Sequence, residues 1–346
     1  MGMRNRQWLL ARRPSGSVDL DDFEFAEADM PEPELKPGEI LVNNLAFHLA
    51  PTMRNWMNDS SRSYRASVGL GTPVIGPGAA VVVRSAHAKW PVGTRLLGVS
   101  RWEDYSVLDP DNSPTLFVPV PEQFTVTEAL GVFGLNSLTA HVGLNQVGRP
   151  KPGETVVVSA AAGSVGSMAC QIARLQGCRV IGIAGGPDKC AWLVGTCGID
   201  AAIDYKNEDV SRRLKDLCPD GVDVFFDNVG GPILHAVMDN IAPKGRVAVC
   251  GQVSAYDSDE PAPGPRDMMR VVYWRVRIEG FVLGDFPDKV PAARDDIVRW
   301  VRDGKIVHRE DIRQGFGQLP SAFLDLFTGR NEGTLMVVND EVAAPR

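Results

Sequence analysis

The stretch Thr155-Val156-Val157-Val158-Ser159-Ala160-Ala161-Ala162-Gly163-Ser164-Val165-Gly166 decides the fold. Its first five residues are an apolar, β-branched run and read as a buried strand. Met168, Ile172 and Leu175 then recur at helical spacing, and Gly177 ends the helix. Strand, small-residue turn and helix form the opening of a dinucleotide-binding unit. Small residues let the backbone approach a pyrophosphate, and the helix amides and dipole favour its charge. Gly166 falls where helix and strand must pack closely. Ala161 stands where the usual fingerprint has its first Gly, so a plain tight turn is the competing reading. The context favours the dinucleotide, because a second strand follows at Arg179–Ala184.

Outward from this turn, residues 126–303 alternate apolar runs with helical patterns. Strands are expected at Thr155–Ser159, Arg179–Ala184, Ala201–Asp204, Val222–Asp227, Arg246–Cys250 and Arg277–Val282. Helices are expected near 164–176, 187–197, 208–218, 232–240 and 265–275. Pro187, Pro232 and Pro265 each stand where a first helical residue would. This alternation predicts an α/β unit with a doubly wound parallel sheet. Residues 1–125 differ, with short β-like runs at Glu39–Leu45, Ala79–Arg84, Arg95–Val99 and Tyr105–Leu108, separated by Pro/Gly turns. They predict a compact β-barrel-like domain. Residues 304–346 hold one more helix, Pro320–Phe327, and a strand, Thr334–Val338, placed to return to the N-terminal domain.

The end of the second strand bears on cofactor choice. An NAD site usually carries an acid there for the ribose hydroxyls. This chain has Ile183-Ala184-Gly185-Gly186-Pro187, then Asp188 and Lys189. A missing acid and a nearby lysine suit the 2′-phosphate of NADP. The alternative for Lys189 is a solvated helix residue.

Bulk properties exclude several classes. The net charge is −7, with basic residues dispersed, which argues against nucleic acid and anionic membrane as partners. No apolar run is long enough to span a bilayer. The first thirteen residues carry four arginines without an apolar stretch behind them, so no signal peptide is expected and cytoplasmic residence follows. Six cysteines lie between 170 and 250 without a Cys-x-x-Cys pair. They read as buried free thiols rather than as a metal site.

Three linked segments carry a family resemblance: Ser159-Ala-Ala-Ala-Gly-Ser-Val-Gly-Ser167, Gly182-Ile-Ala-Gly-Gly-Pro-Asp-Lys189 and Phe226-Asp-Asn-Val-Gly-Gly231. Asn5–Leu10 and Gly329–Gly333 fit its two ends. Together they resemble the zinc-independent medium-chain dehydrogenase/reductases. Within these the chain is similar to the branch of leukotriene B4 dehydrogenase/prostaglandin reductase, plant alkenal reductases and curcumin reductase. The resemblance implies a GroES-like domain plus a Rossmann domain, and a homodimer joined through the last Rossmann strand. It implies NADPH as cofactor and reduction of a C=C bond conjugated to a carbonyl, with an enone or enal as partner. By position, Gly163, Ser164, Val165 and Gly166 would hold the pyrophosphate, and Lys189 and Tyr205 would meet the 2′-phosphate. Asn228, Cys250, Gly251, Ser254 and Tyr256 would line the cofactor's middle. Phe281, Val282 and Leu283 would flank the nicotinamide, and Asn331 would close over it. Gly76-Pro77-Gly78 stands where zinc-dependent relatives carry Gly-His-Glu, so no metal is expected.

Tyr273 and Tyr256 are the candidate donors to the enolate that hydride addition creates. Tyr273 lies in a predicted helix, Asp267–Arg275, and reads equally as a packed aromatic; Tyr256 reads alternatively as a loop residue. The substrate side departs from the family pattern. Ala50-Pro51-Thr52-Met53-Arg54 replaces Asp-Pro-Tyr-Met-Arg, and Thr139-Ala140-His141 replaces Thr-Ala-Tyr. Thr52 and His141 thus stand where aromatics normally shape the substrate mouth, with packing the favoured reading for His141. Two further functions stay open: a quinone reductase, and a nucleotide-binding module with little or no catalysis.

Overall fold

The computed structural model describes residues 3–59, 66–113, 116–256, 264–265 and 267–339. Its strands are β1 (Met3–Leu10), β2 (Phe23–Met30), β3 (Ile40–His48), β4 (Ile75–Ser85), β5 (Arg95–Arg101), β6 (Tyr105–Leu108), β7 (Val118–Pro119), β8 (Thr155–Ser159), β9 (Arg179–Ala184), β10 (Ala201–Asp204), β11 (Val222–Asp227), β12 (Ile241–Val249), β13 (Arg277–Gly280), β14 (Glu310–Gln314) and β15 (Thr334–Val338). Its α-helices are α1 (Met53–Trp56), α2 (Val126–Leu130), α3 (Leu135–Val142), α4 (Ser164–Leu175), α5 (Pro187–Gly195), α6 (Val210–Leu217), α7 (Gly231–Asp239), α8 (Met269–Trp274), α9 (Val290–Arg302) and α10 (Leu319–Thr328). The chain divides into two compact units: 1–132 together with 310–346, and 133–309.

In the first unit, β3 is the organiser. All nine of its residues are buried. One edge pairs with β4, while the other takes β6 along residues 40–43 and β15 along residues 46–48. Register shifts near Leu41 and Asn44 bend the strand between these partners. β15 thus adds a C-terminal strand, antiparallel, to the N-terminal sheet. The main core gathers Trp102, Phe47, Phe316 and Phe323 around Leu10 and Met53.

The second unit holds a six-stranded sheet in the order β10-β9-β8-β11-β12-β13, every pair parallel. Strand order reverses at the β8/β11 junction, where doubly wound sheets bind their ligands. β8, β9 and β11 are almost wholly buried and β-branched or aromatic, as a sheet covered on both faces requires.

Several expectations needed correction. The helix foreseen at 265–275 is only Met269–Trp274, so Pro265 is not a first helical residue. Pro232 is the second residue of its helix, whereas Pro187 does open α5. The last Rossmann strand ends at Gly280, leaving Phe281 and Val282 beyond it. All six cysteines are free, but Cys190 and Cys250 are only half-buried. The ribbon β1–β2 and the helices α3 and α9 carried no clear signal in the sequence. β2 is largely exposed, and α9 buries only Ala293 and Ile297 among its thirteen residues, so neither shows a broad apolar face.

Candidate active site

The glycine turn begins with a strained residue. Ala160 adopts φ +47°, which swings its carbonyl oxygen inward to accept the Gly163 amide at 2.9 Å. The same oxygen lies against Gly166, where a Cβ would overlap it. Glycine at 166 is therefore what lets α4 start so close to the strand. Ala161 fits in place of a glycine because Gly182 on β9 leaves room: a Cβ there would lie 2.9 Å from the Ala161 methyl. The first helical amide drawn into α4's ladder is that of Ser167, donated to the Gly163 carbonyl. The amides of Ser164, Val165 and Gly166 stand ahead of it, and no acid lies in this first turn. A pyrophosphate fits such a cradle in both space and charge.

At the neighbouring strand ends, Gly185 lies beneath Tyr205 and Lys206. A Cβ on Gly185 would come within 2.9 Å of the Tyr205 ring and 3.1 Å of Lys206 Cε. Asp204, the last residue of β10, fixes this corner by accepting from the Gly186 and Lys206 amides and from Asn207 Nδ2. Those bonds, led by the Gly186 amide, hold its carboxyl below the usual carboxylate range. Asp204 is thus committed to this corner's own amides, and Asp188 is exposed in the first turn of α5. Lys189 follows in the first turn of α5. Lys206 was missed in the sequence because it belongs to the third strand's exit, outside the usual fingerprint; its signal was adjacency to Tyr205.

The loops after β11 and β12 are zipped together. The Val253 and Ser254 amides donate to the Asn228 and Val229 carbonyls, and Ser254 Oγ donates to the Val229 carbonyl at 2.6 Å. Beneath them lies a buried polar hub. Asp227 Oδ1 accepts from Ser159 Oγ at 2.8 Å and from the Val229 and Gly230 amides. Asn228 donates its amide to Ser159 Oγ and its side-chain NH2 to the Ser159 carbonyl. The hub ties the exit of β8 to that of β11. Burial raises the Asp227 carboxyl, against the pull of its hydrogen bonds. Burial, and then Asp227, push the Cys250 thiol up to about 12, so it is no nucleophile at neutral pH. Tyr256 folds back over this loop, its hydroxyl 3.2 Å from where a Cβ on Gly251 would stand and accepting the Gln252 amide at 3.4 Å.

Residues 6–116 match the family described as N-terminal domain of oxidoreductase, and residues 164–299 that described as zinc-binding dehydrogenase. NADPH-dependent curcumin reductase of Escherichia coli is 35% identical over 339 residues, 96% of each chain. The NADP-dependent 2-alkenal reductase of Nicotiana tabacum is 35% identical over 96% of this chain and 97% of its own. The crystal structure of CurA from Vibrio vulnificus in complex with NADPH superposes with TM-score 0.89 at 36% identity, covering 97% of this chain and 99% of that one. This chain belongs to the zinc-independent medium-chain dehydrogenase/reductases. Although one matching family is named for zinc, no group of three metal-ligating side chains occurs among the described residues.

In this family member the remaining candidates are placed as follows. Phe281 lays its ring over Gly143, which has no room for a Cβ, and stands edge-on to Phe226 at 6.1 Å between centroids. Val282 is exposed and Leu283 opens a short 3-10 turn. Tyr273 sits on α8 with 61% of its surface exposed, not as a packed aromatic. His141 is packed instead: its Nε2 meets Asp296 Oδ2 at 3.1 Å, its Nδ1 meets Asn145 Nδ2 at 3.3 Å, and its ring lies 5.8 Å from Trp300. Both nitrogens are taken, so the ring does not offer itself to a substrate carbonyl. Burial lowers its pKa, with Asp296 opposing. In the other unit, Thr52 precedes α1 and is half-buried. Asn331 donates to the Gly333 carbonyl at 3.1 Å.

Proposed function

We propose that this protein is an NADPH-dependent reductase of C=C bonds conjugated to a carbonyl, acting on alkenals and enones. The observation that carries this reading is likeness along nearly the whole chain to a curcumin reductase and a 2-alkenal reductase, each 35% identical over 96% of it. The cofactor would rest its pyrophosphate on Gly163–Gly166 and its 2′-phosphate against Lys189, Tyr205 and Lys206. Asn228, Cys250, Gly251 and Ser254 would line its middle, and Phe281 to Leu283 its nicotinamide end. When bound, it supplies hydride to the carbon β to the carbonyl.

The protein's own task is then to meet the charge that gathers on the substrate oxygen. One preorganised hydroxyl at that point is worth roughly 2.7–4 kcal/mol. Tyr256, held over Gly251 at the sheet's C-terminal edge, and Tyr273, exposed on α8, are the two side chains we assign to this task. We further propose a cytoplasmic homodimer. Free thiols fit a reducing compartment and support this reading. β13 ends the sheet with its outer edge unpaired among the described residues, and the segment that leads into it exposes Met268, Val272 and Tyr273.

The test is NADPH oxidation with an alkenal, an enone and a quinone in parallel, with product analysis. The saturated carbonyl is the expected product, and exchanging each tyrosine for Phe in the same assay assigns the donor. Turnover of the quinone alone would replace this reading with quinone reduction. NADPH that bound without being consumed across all three would leave a nucleotide-binding module.

A further inference from the structure

We infer that Asn136, a residue outside the glycine turn, is a further determinant of dinucleotide affinity, setting the Ser164 hydroxyl to donate to the pyrophosphate. The inference rests on reading Ser159–Gly166 as the pyrophosphate turn. Asn136 is the second residue of α3, which packs on α4. Its side-chain Nδ2 donates to Ser164 Oγ at 2.6 Å. Ser164 is the first residue of α4, beside the unladdered amides described above.

A serine hydroxyl has one proton to give and two lone pairs to receive with. An amide NH2 can only donate, so Asn136 occupies a lone pair and leaves the proton to point elsewhere. A hydroxyl turned in this way presents hydrogen, not oxygen, to an anion at the helix start. Without Asn136 the hydroxyl is left to choose among its staggered rotamers, and some of those turn a lone pair toward the phosphate. The fingerprint of small residues contains no trace of this contact, because Asn136 precedes Ser164 by 28 positions. The contact thus adds a donor to the amide cradle from a helix that the dinucleotide motif does not include.

The test is a double-mutant cycle on the full chain, reading the NADPH dissociation constant by fluorescence. Asn136→Ala and Ser164→Ala should each weaken NADPH about tenfold, the scale of a hydrogen bond to a charged group. The double variant should weaken it little further, because both act through one bond. Asn136→Asp should be worse than Asn136→Ala, since a carboxylate takes the serine proton and repels the pyrophosphate. Adenosine 2′-monophosphate, which lacks the pyrophosphate, serves as the internal control and should bind all variants alike. Additive losses, or equal losses of adenosine 2′-monophosphate, would overturn the inference. So would an Asn136→Ala variant that bound NADPH within twofold of the parent. Failure of the parent itself to bind NADPH would instead overturn the cofactor reading.

Discussion

Ala160 holds a left-handed backbone at φ +47°, a conformation that costs an L-residue about 1–2 kcal/mol. The cost is repaid locally, because only that turn brings its carbonyl to Gly163 and against the bare Gly166. Strain of this kind concentrates where a site must be held open. A second residue-scale feature bears on the choice of cofactor. Lys189 follows a strand end where Asp204 is spent on the Gly186 and Lys206 amides. Lys189→Ala should therefore weaken NADPH roughly ten- to a hundredfold, as losing a charged hydrogen bond does. NADH, without the 2′-phosphate, should be almost unaffected. Titrating both cofactors into the variant checks this, and equal weakening would place the 2′-phosphate away from Lys189.

The elements show where sequence reading succeeds and where it stops. β8 and β11 have the bounds that their apolar runs announced, because a buried parallel strand leaves little room for polar residues. The cofactor turn was legible for the same reason, although Ala161 looked like a defect. Its answer, Gly182, lies on another strand and is adjacent only in the folded sheet. For His141 packing was the favoured reading, but what it packs against was not legible. Its partners Asp296 and Trp300 lie on a helix whose narrow apolar face gave no warning of its presence. His48, on the wholly buried β3, makes the element's chemistry measurable. Burial lowers its pKa from 6.5 to about 4. Below about pH 6.5 the unfolded chain binds a proton that the folded chain refuses. Stability should thus be full above that pH and fall by about 3 kcal/mol between pH 6.5 and 4. His141 contributes with the same sign. Urea midpoints measured across this window should slope downward with acid, and His48→Gln should flatten the slope. An unchanged slope in that variant would mean that His48 does not carry the effect.

At the scale of the whole molecule, the second unit leaves one feature unexplained within a single chain. Among the described residues, β13 closes the sheet on one side with only β12 as its neighbour. In the segment leading into it, Met268, Val272 and Tyr273 are 57%, 62% and 61% exposed. An open parallel edge is a template for pairing, and exposed apolar side chains in the same region add surface to cover. A second copy meeting it about a twofold axis would join two sheets and cover the same residues on both chains. That arrangement would also bury Tyr273 and change the surroundings of a candidate donor hydroxyl. The protein should accordingly run at twice its 37.5 kDa chain mass. Val272→Asp places a charge at the most exposed of these three positions and should shift the mass to that of one chain, read by light scattering at matched concentrations. Should Val272→Asp remain a dimer, the pairing surface lies elsewhere; should the parent run as a single chain, the edge is managed without a partner. A monomeric variant that still binds NADPH normally would show that the cofactor cradle is complete within one chain, as its bonds from Asn136, Ser159 and Asp227, all in the second unit, lead us to expect.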